Sequence, residues 1–266
     1  MTINHKFFLN LAFQIAERNL GKTGQNPTVG SIVVKNDTVI SSGVTSINGR
    51  PHAEFNALNK VKNTAGSTLY TTLEPCIHQG KTPPCTDIII KKKIKSVVFG
   101  LEDPDPRTFK KAKKILKNKG IKTKLIQSKK YNNFYRSYLV NKKFKIPFIS
   151  AKIAISKDYY TINKKDKWIT NIFSRRNTHL IRSQHDAIIS TSKSINFDNS
   201  LLNCRIEGLN NYKPDLFIID LNLRLKKNLL LNKILKKRKT YLITYKTNII
   251  KALAYKKRGY KIIYID

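Results

Sequence analysis

One histidine and two cysteines, His52, Cys76 and Cys85, constrain this chain more than any other feature. Pro51-His52-Ala53-Glu54 leads into a run with helical spacing at Phe55, Leu58 and Val61. Pro75-Cys76-Ile77-His78-Gln79-Gly80-Lys81-Thr82-Pro83-Pro84-Cys85 follows an apolar, β-prone segment from Ser67 to Leu73. One imidazole and two thiolates make three protein ligands for Zn²⁺ and leave the fourth position for water. Zinc brings the pKa of such a water towards about 7. Glu54, two residues after His52, is placed to take the water's proton and hand it on. Each signal alone is weak, since a His-x-Glu is common on surfaces and a Cys is commonly a small buried hydrophobe. Their conjunction in a Pro- and Gly-rich loop after a strand points to metal.

This arrangement is similar to that of zinc deaminases, in which the Glu is an acid/base and not a ligand. The spacing narrows the resemblance. Nucleic-acid and nucleoside deaminases carry Pro-Cys-x-x-Cys, whereas eight residues separate Cys76 from Cys85 here. The loop Pro-Cys-x-His-x-Gly-Lys-Thr-Pro-Pro-Cys, with Asn26-Pro27-Thr28-Val29-Gly30 upstream and Asp103-Pro104 downstream, resembles the bifunctional riboflavin-biosynthesis deaminase/reductases of the RibD family. The resemblance implies Glu54 as the catalytic acid/base and His52, Cys76 and Cys85 as zinc ligands. It also implies Asn26 and His78 orienting the pyrimidine, Lys81 and Thr82 near its phosphate, and Asp103 as a further substrate-binding residue.

At 266 residues the chain has room for two ordinary domains. The expected boundaries are 1–145 and 146–266. No apolar run reaches membrane-spanning length, and the N-terminus lacks an apolar signal core, so a cytoplasmic enzyme without a membrane partner is expected. With two cysteines assigned to metal, Cys204 stands alone and no disulfide framework follows. The 52 Lys+Arg against 16 Asp+Glu give a formal charge of +36. Lysines are dispersed in both halves and no aromatic platform interleaves them, so the charge predicts non-specific polyanion binding and no specific nucleic-acid partner.

In chain order, a helix is expected over His5 to Asn19, and strands over Val29–Val34 and Thr38–Val44, turned at Asn36-Asp37. Then come the His52 helix, the strand Ser67–Leu73, a helix over Cys85–Lys92 and a strand over Lys95–Gly100. A helix over Phe109–Lys119, a strand over Ile121–Ile126 and a helix over Ser128–Lys142 bridging the domains complete a three-layer α/β/α unit. Beyond Pro147 the reading gives a strand over Phe148–Ile155 and a helix over Ser174–Ser183. Strands follow over Ala187–Ser190, Leu216–Asp220, Thr240–Thr244 and Tyr260–Ile265, with helices between the last three. No Gly-x-Gly-x-x-Gly supports a Rossmann phosphate loop.

The second half also resembles the RibD reductase, through Lys152-x-Ala154-x-Ser156-x-Asp158, Trp168-Ile169-Thr170, Arg182, Asp186-Ala187, Asp198 and Arg205. That implies a dihydrofolate-reductase-like α/β fold using NADPH, with Ala154, Trp168, Ser194 and Asp198 facing the nucleotide. Asp166, Arg182, Leu202 and Arg205 would face the substrate, the arginines gripping a phosphate. The pattern departs from the family at Thr45 (a His in the family), Asp105 (an Asn), Lys110 and Ala112 (glycines), Tyr159 (a Gly), Asp166 (a Ser), Ser194 (a Thr) and Ser200 (a Pro). The family's reductase continues past the last strand whereas this sequence stops at Asp266, so a sheet short of strands and an impaired reductase are expected.

The expected substrate is a small pyrimidine ribotide, with homo-oligomerisation left open. Two rivals stay open at this point. A nucleic-acid or nucleotide deaminase would suit the charge, but it predicts the short cysteine spacing. A zinc-stabilised non-catalytic module predicts a fourth protein ligand, for which His78 is the candidate.

Overall fold

The computed structural model describes residues 4–161, 168–209 and 214–266. The chain divides into two compact units, 1–150 and 151–266. The first begins with α1 (His5–Glu17), capped by the Asn4 side chain, which accepts from the Phe7 N–H. Next come β1 (Gly30–Lys35) and β2 (Thr38–Val44), a hairpin whose turn residues Asn36 and Asp37 both have positive φ, as a two-residue primed turn requires. Then follow α2 (Ala53–Leu58), β3 (Thr68–Thr71), α3 (Cys85–Lys91), β4 (Ser96–Phe99), α4 (Lys111–Asn118), β5 (Lys122–Leu125), α5 (Lys129–Phe134) and α6 (Arg136–Phe144).

The sheet runs β2-β1-β3-β4-β5, antiparallel at the hairpin side and parallel from β3 to β5. Alternation along the strands builds two cores. Ile32, Val34, Tyr70 and Val98 face a core with Phe8, Ala12, Phe13, Tyr131 and Tyr135. Val33, Leu69, Val97 and Phe99 face another with Ala57, Leu58, Ile89 and Leu116. The three-layer expectation is met. Gly30 matters here because a Cβ would sit 2.0 Å from the Ala12 carbonyl oxygen, so only glycine lets α1 lie this close to β1.

One expected helix is corrected. Ser128 to Lys142 is not a single rod but two short helices that bend at Tyr135. The bend buries Tyr135, whose hydroxyl lies 2.6 Å from Thr72 Oγ1 and donates to the Thr28 carbonyl at 3.0 Å. Tyr131 stacks on Phe13 with ring centroids 4.2 Å apart. The segment is therefore part of the first unit's core and not only a bridge.

The second unit contains α7 (Ile172–Ser183), β6 (Ala187–Thr191), α8 (Ser192–Asp198), β7 (Asp215–Ile219), β8 (Thr240–Tyr245), α9 (Ile249–Arg258) and β9 (Lys261–Ile265). Its four strands are parallel in the order β6-β7-β8-β9. Leu216, Ile218 and Leu242 pack with Ile195, Leu225, Leu229 and Leu231. Two expectations are corrected. The segment between β7 and β8 carries a 3-10 helix, Leu230–Lys237, where an α-helix was expected. Residues 148–155 form no strand and pair with none among the described residues, and Ile149 and Ile153 are 80% and 71% exposed. Apolar, β-prone residues make a strand only where a ladder partner meets them.

Candidate metal and deaminase site

His52 caps α2 in extended conformation and Cys85 is the first residue of α3, so two of the three ligands stand at helix N-termini. Cys76 follows β3, and its sulfur accepts from the Cys85 backbone N–H at 3.3 Å. His52 Nδ1 lies 3.5 Å from Cys76 Sγ and 3.4 Å from Cys85 Sγ. Zn–S bonds of about 2.3 Å and Zn–N bonds of about 2.0–2.1 Å in a tetrahedron separate sulfur from nitrogen by about 3.6 Å. The three donors all lie within 4.8 Å of one another and therefore fit zinc. Among the described residues, this metal-binding group includes neither His78 nor a carboxylate.

The electrostatics suit a cation. Hydrogen bonds from Cys85 and His52 hold the Cys76 thiol down at about 4, so one thiolate is ready at neutral pH. Glu54 is 3% exposed, and burial pushes its carboxyl up to about 7. A carboxyl near neutrality can both accept and return a proton.

One cavity gathers His52, Glu54 and Cys76 with Asn26, His78 and Asp103. Asn26 is fixed by its Nδ2, which donates to the Gly49 carbonyl at 3.0 Å. His78 Nδ1 lies 3.3 Å from Thr108 Oγ1. Asp103 Oδ1 accepts from the Asp105 N–H at 3.0 Å and from the Tyr138 hydroxyl at 2.9 Å. Glu74 anchors the loop beneath: its oxygens accept from the backbone N–H groups of Asp103, Lys110 and Ala112. Lys81 and Thr82 are not in the lining, and Thr82 Oγ1 is engaged by Arg50 Nη1 at 2.5 Å.

Sequence reasoning missed Arg50, Glu74, Arg107, Tyr138 and Lys142 in this cavity. Glu74 was legible from its place beside Pro75-Cys76. Tyr138 and Lys142 are four apart on α6, a spacing that puts both on one helix face. Thr45, where the family has a His, also lines the cavity, and its hydroxyl accepts from the Val29 N–H.

In the second unit, Arg182 Nη1 donates to the Asn203 carbonyl at 3.2 Å and Arg205 Nη1 to Asn203 Oδ1 at 3.4 Å. Leu202, beside them, is partly buried in the core. Burial, reinforced by Arg205, lowers the pKa of Arg182. The nucleotide set is spread over three segments: Ala154 in the irregular stretch 148–155, Trp168 under the Arg175 guanidinium at 4.6 Å, and, on α8, Ser194 against Thr191 Oγ1 with Asp198 at the exposed end. Asp166 lies outside the described residues.

Residues 2–101 match the cytidine and deoxycytidylate deaminase zinc-binding region, and residues 147–261 match the RibD C-terminal domain. The riboflavin biosynthesis protein RibD of Bacillus amyloliquefaciens is 35% identical over 208 residues, covering 76% of this chain and 55% of that one. The chain belongs to the RibD family. Its relative in Aquifex aeolicus is 36% identical over 207 residues, covering 75% of this chain and 57% of that protein. The chain thus spans a little over half the length of these curated relatives. Among solved structures, Acinetobacter baumannii RibD superposes with a TM-score of 0.83 at 28% identity, covering 98% of this chain and 74% of that one. A deaminase/reductase from Thermotoga maritima gives 0.80 at 27% identity, covering 98% and 80%. The fold is the mixed α/β one of this family, a deaminase-like unit followed by a reductase-like one. No described helix is long and apolar enough to cross a membrane.

Proposed function

We propose that residues 1–145 hydrolytically deaminate 2,5-diamino-6-ribosylamino-4(3H)-pyrimidinone 5′-phosphate, replacing its 2-amino group with oxygen from water and releasing ammonia. Residues 146–266 would form the half that reduces the ribosyl to a ribityl phosphate in a cytoplasmic riboflavin pathway. The single observation that carries the reading is the buried Glu54 in one cavity with two of the three converging ligands. Zinc held by His52, Cys76 and Cys85 would supply a water of lowered pKa. Glu54 would take a proton from the attacking water and deliver it to a ring nitrogen. It would then take the second proton from the hydroxyl now on the ring carbon and deliver it to the amine, which leaves as ammonia while that carbon becomes a carbonyl. Asn26, held against Gly49, and Asp103, held by Tyr138, present fixed polar groups to the pyrimidine edge. His78 orients the ring from the facing loop. A place for Lys81 and Thr82 near the phosphate rests on the family resemblance, since the loop is tied back through Arg50 and neither residue lines the cavity.

For the reductase half, the Arg182–Arg205 pair at Asn203 supports a phosphate grip. NADPH, when bound, supplies the hydride, and its proposed residues Ala154, Trp168, Ser194 and Asp198 rest on the family resemblance and the domain match alone. Incubating the zinc-loaded chain with the diaminopyrimidine ribotide, with and without NADPH, and reading product masses tests both halves. A deaminated product without NADPH supports the first; unchanged substrate refutes it.

A further inference from the structure

Three cations line the cavity: Arg50, Arg107 and Lys142. Arg50 is turned to Thr82. The other two meet at Asp105, the position where the family carries an asparagine. Asp105 Oδ1 accepts from the Arg107 backbone N–H at 3.1 Å and from its Nε at 2.9 Å. Asp105 Oδ2 accepts from Arg107 Nη2 at 2.7 Å and from Lys142 Nζ at 3.0 Å. The carboxylate is only 7% exposed, whereas the Arg107 side chain is 61% and the Lys142 side chain 26% exposed.

One buried carboxylate thus holds two accessible cations side by side. Arg107 Nη1 has no protein acceptor among the described residues, and the Lys142 ammonium has one, together with the Tyr138 ring at 5.6 Å. A guanidinium carries five N–H donors and an ammonium three, so both keep donors to spare. The neighbouring carboxyl of Asp103 gives one oxygen to Tyr138 and the Asp105 N–H. Burial pushes its pKa upward, which weakens its opposition to an anion. A bare carboxylate at position 105 would repel an anionic substrate; here two cations outnumber it. The two arise from separate elements, the loop after Pro106 and α6, and Asp105 is the acceptor that both share.

We infer that Arg107 and Lys142, aligned by Asp105, form a second grip for the phosphate monoester of the deaminase substrate, facing the loop of Lys81 and Thr82. The inference rests on the deaminase reading of this cavity. It makes the Asp105 replacement a compensated one: the position no longer offers an amide to the substrate, but it places two charge-assisted donors.

The test uses the full zinc-loaded chain and the variants Arg107→Gln, Lys142→Gln and Lys143→Gln. Lys143 is the neighbouring exposed lysine on α6, outside the cavity, and controls for loss of charge. Deamination is followed with the ribotide and with its dephosphorylated riboside. The expected result is a KM for the ribotide about tenfold higher in each of the first two variants, with kcat and the riboside KM little changed. Equal effects on ribotide and riboside, no change in ribotide KM, or an equal effect from Lys143→Gln would overturn the inference. Calorimetric titration of ribose 5-phosphate separates this from failure of the deaminase reading. Wild type and Arg182→Gln should share an equivalent of binding that Arg107→Gln/Lys142→Gln lacks. Identical binding in wild type and this double variant would refute the grip, whatever the catalytic result.

Discussion

The Tyr138 hydroxyl donates to Asp103 Oδ1 at 2.9 Å and so ties the helix α6 to a carboxylate in the cavity that holds His52, Glu54 and Cys76. The same oxygen also accepts from the Asp105 N–H at 3.0 Å, so the Asp103 carboxyl is held in place from two sides. Tyr138→Phe keeps the ring, and with it the contact of 5.6 Å to the Lys142 ammonium. A hydrogen bond to a charged group is worth about 1.5–3 kcal/mol, so the ribotide KM should rise about tenfold or more. Steady-state kinetics check this, and an unchanged KM would remove Asp103 from substrate binding.

Gly49 has φ of +90°, and a Cβ there would stand 2.6 Å from Asn26 Nδ2. Gly49→Ala should therefore push the Asn26 carboxamide away and add left-handed strain of about 1–2 kcal/mol. A lower melting temperature and a KM raised about fivefold or more are expected, measured by thermal denaturation and kinetics on the same sample.

Tyr135→Phe tests the bend between α5 and α6. It strips a partner from both the Thr72 hydroxyl and the Thr28 carbonyl inside the core. Unsatisfied buried groups cost about 1–3 kcal/mol, and each kcal/mol lowers Tm by about 2–4 °C in a chain of this size. Zinc content should stay the same.

Where the sequence was legible, the residues themselves left few options. Asn36-Asp37 marked the hairpin because both can adopt positive φ at low cost. His52, Cys76 and Cys85 marked the metal centre because their side-chain chemistry is scarce and their spacing specific. Tyr138 and Lys142 escaped notice because their place in the cavity depends on the bend at Tyr135, which long-range hydrogen bonds to Thr28 and Thr72 create. Residues 148–155 misled for the converse reason: their β-prone, apolar composition is a local property, whereas strand pairing is not. Asp105 was legible only as a departure from the family's Asn, because its partners Arg107 and Lys142 come together through the fold.

The formal charge of +36 predicts salt-sensitive and sequence-independent adhesion to polyanions. Binding of DNA or RNA should be indifferent to sequence and vanish by roughly 200 mM salt. A complex that survives that salt, with deamination of bases in single strands, would favour a nucleic-acid deaminase.

The central claim is that His52, Cys76 and Cys85 hold zinc while the buried Glu54 moves protons. Zinc content and ribotide deamination rate, measured together on Glu54→Gln, test it most directly. One equivalent of zinc per chain, as in wild type, and a rate lower by at least about 10²-fold are expected. Loss of zinc from the variant, with activity falling only in proportion to the metal lost, would contradict it.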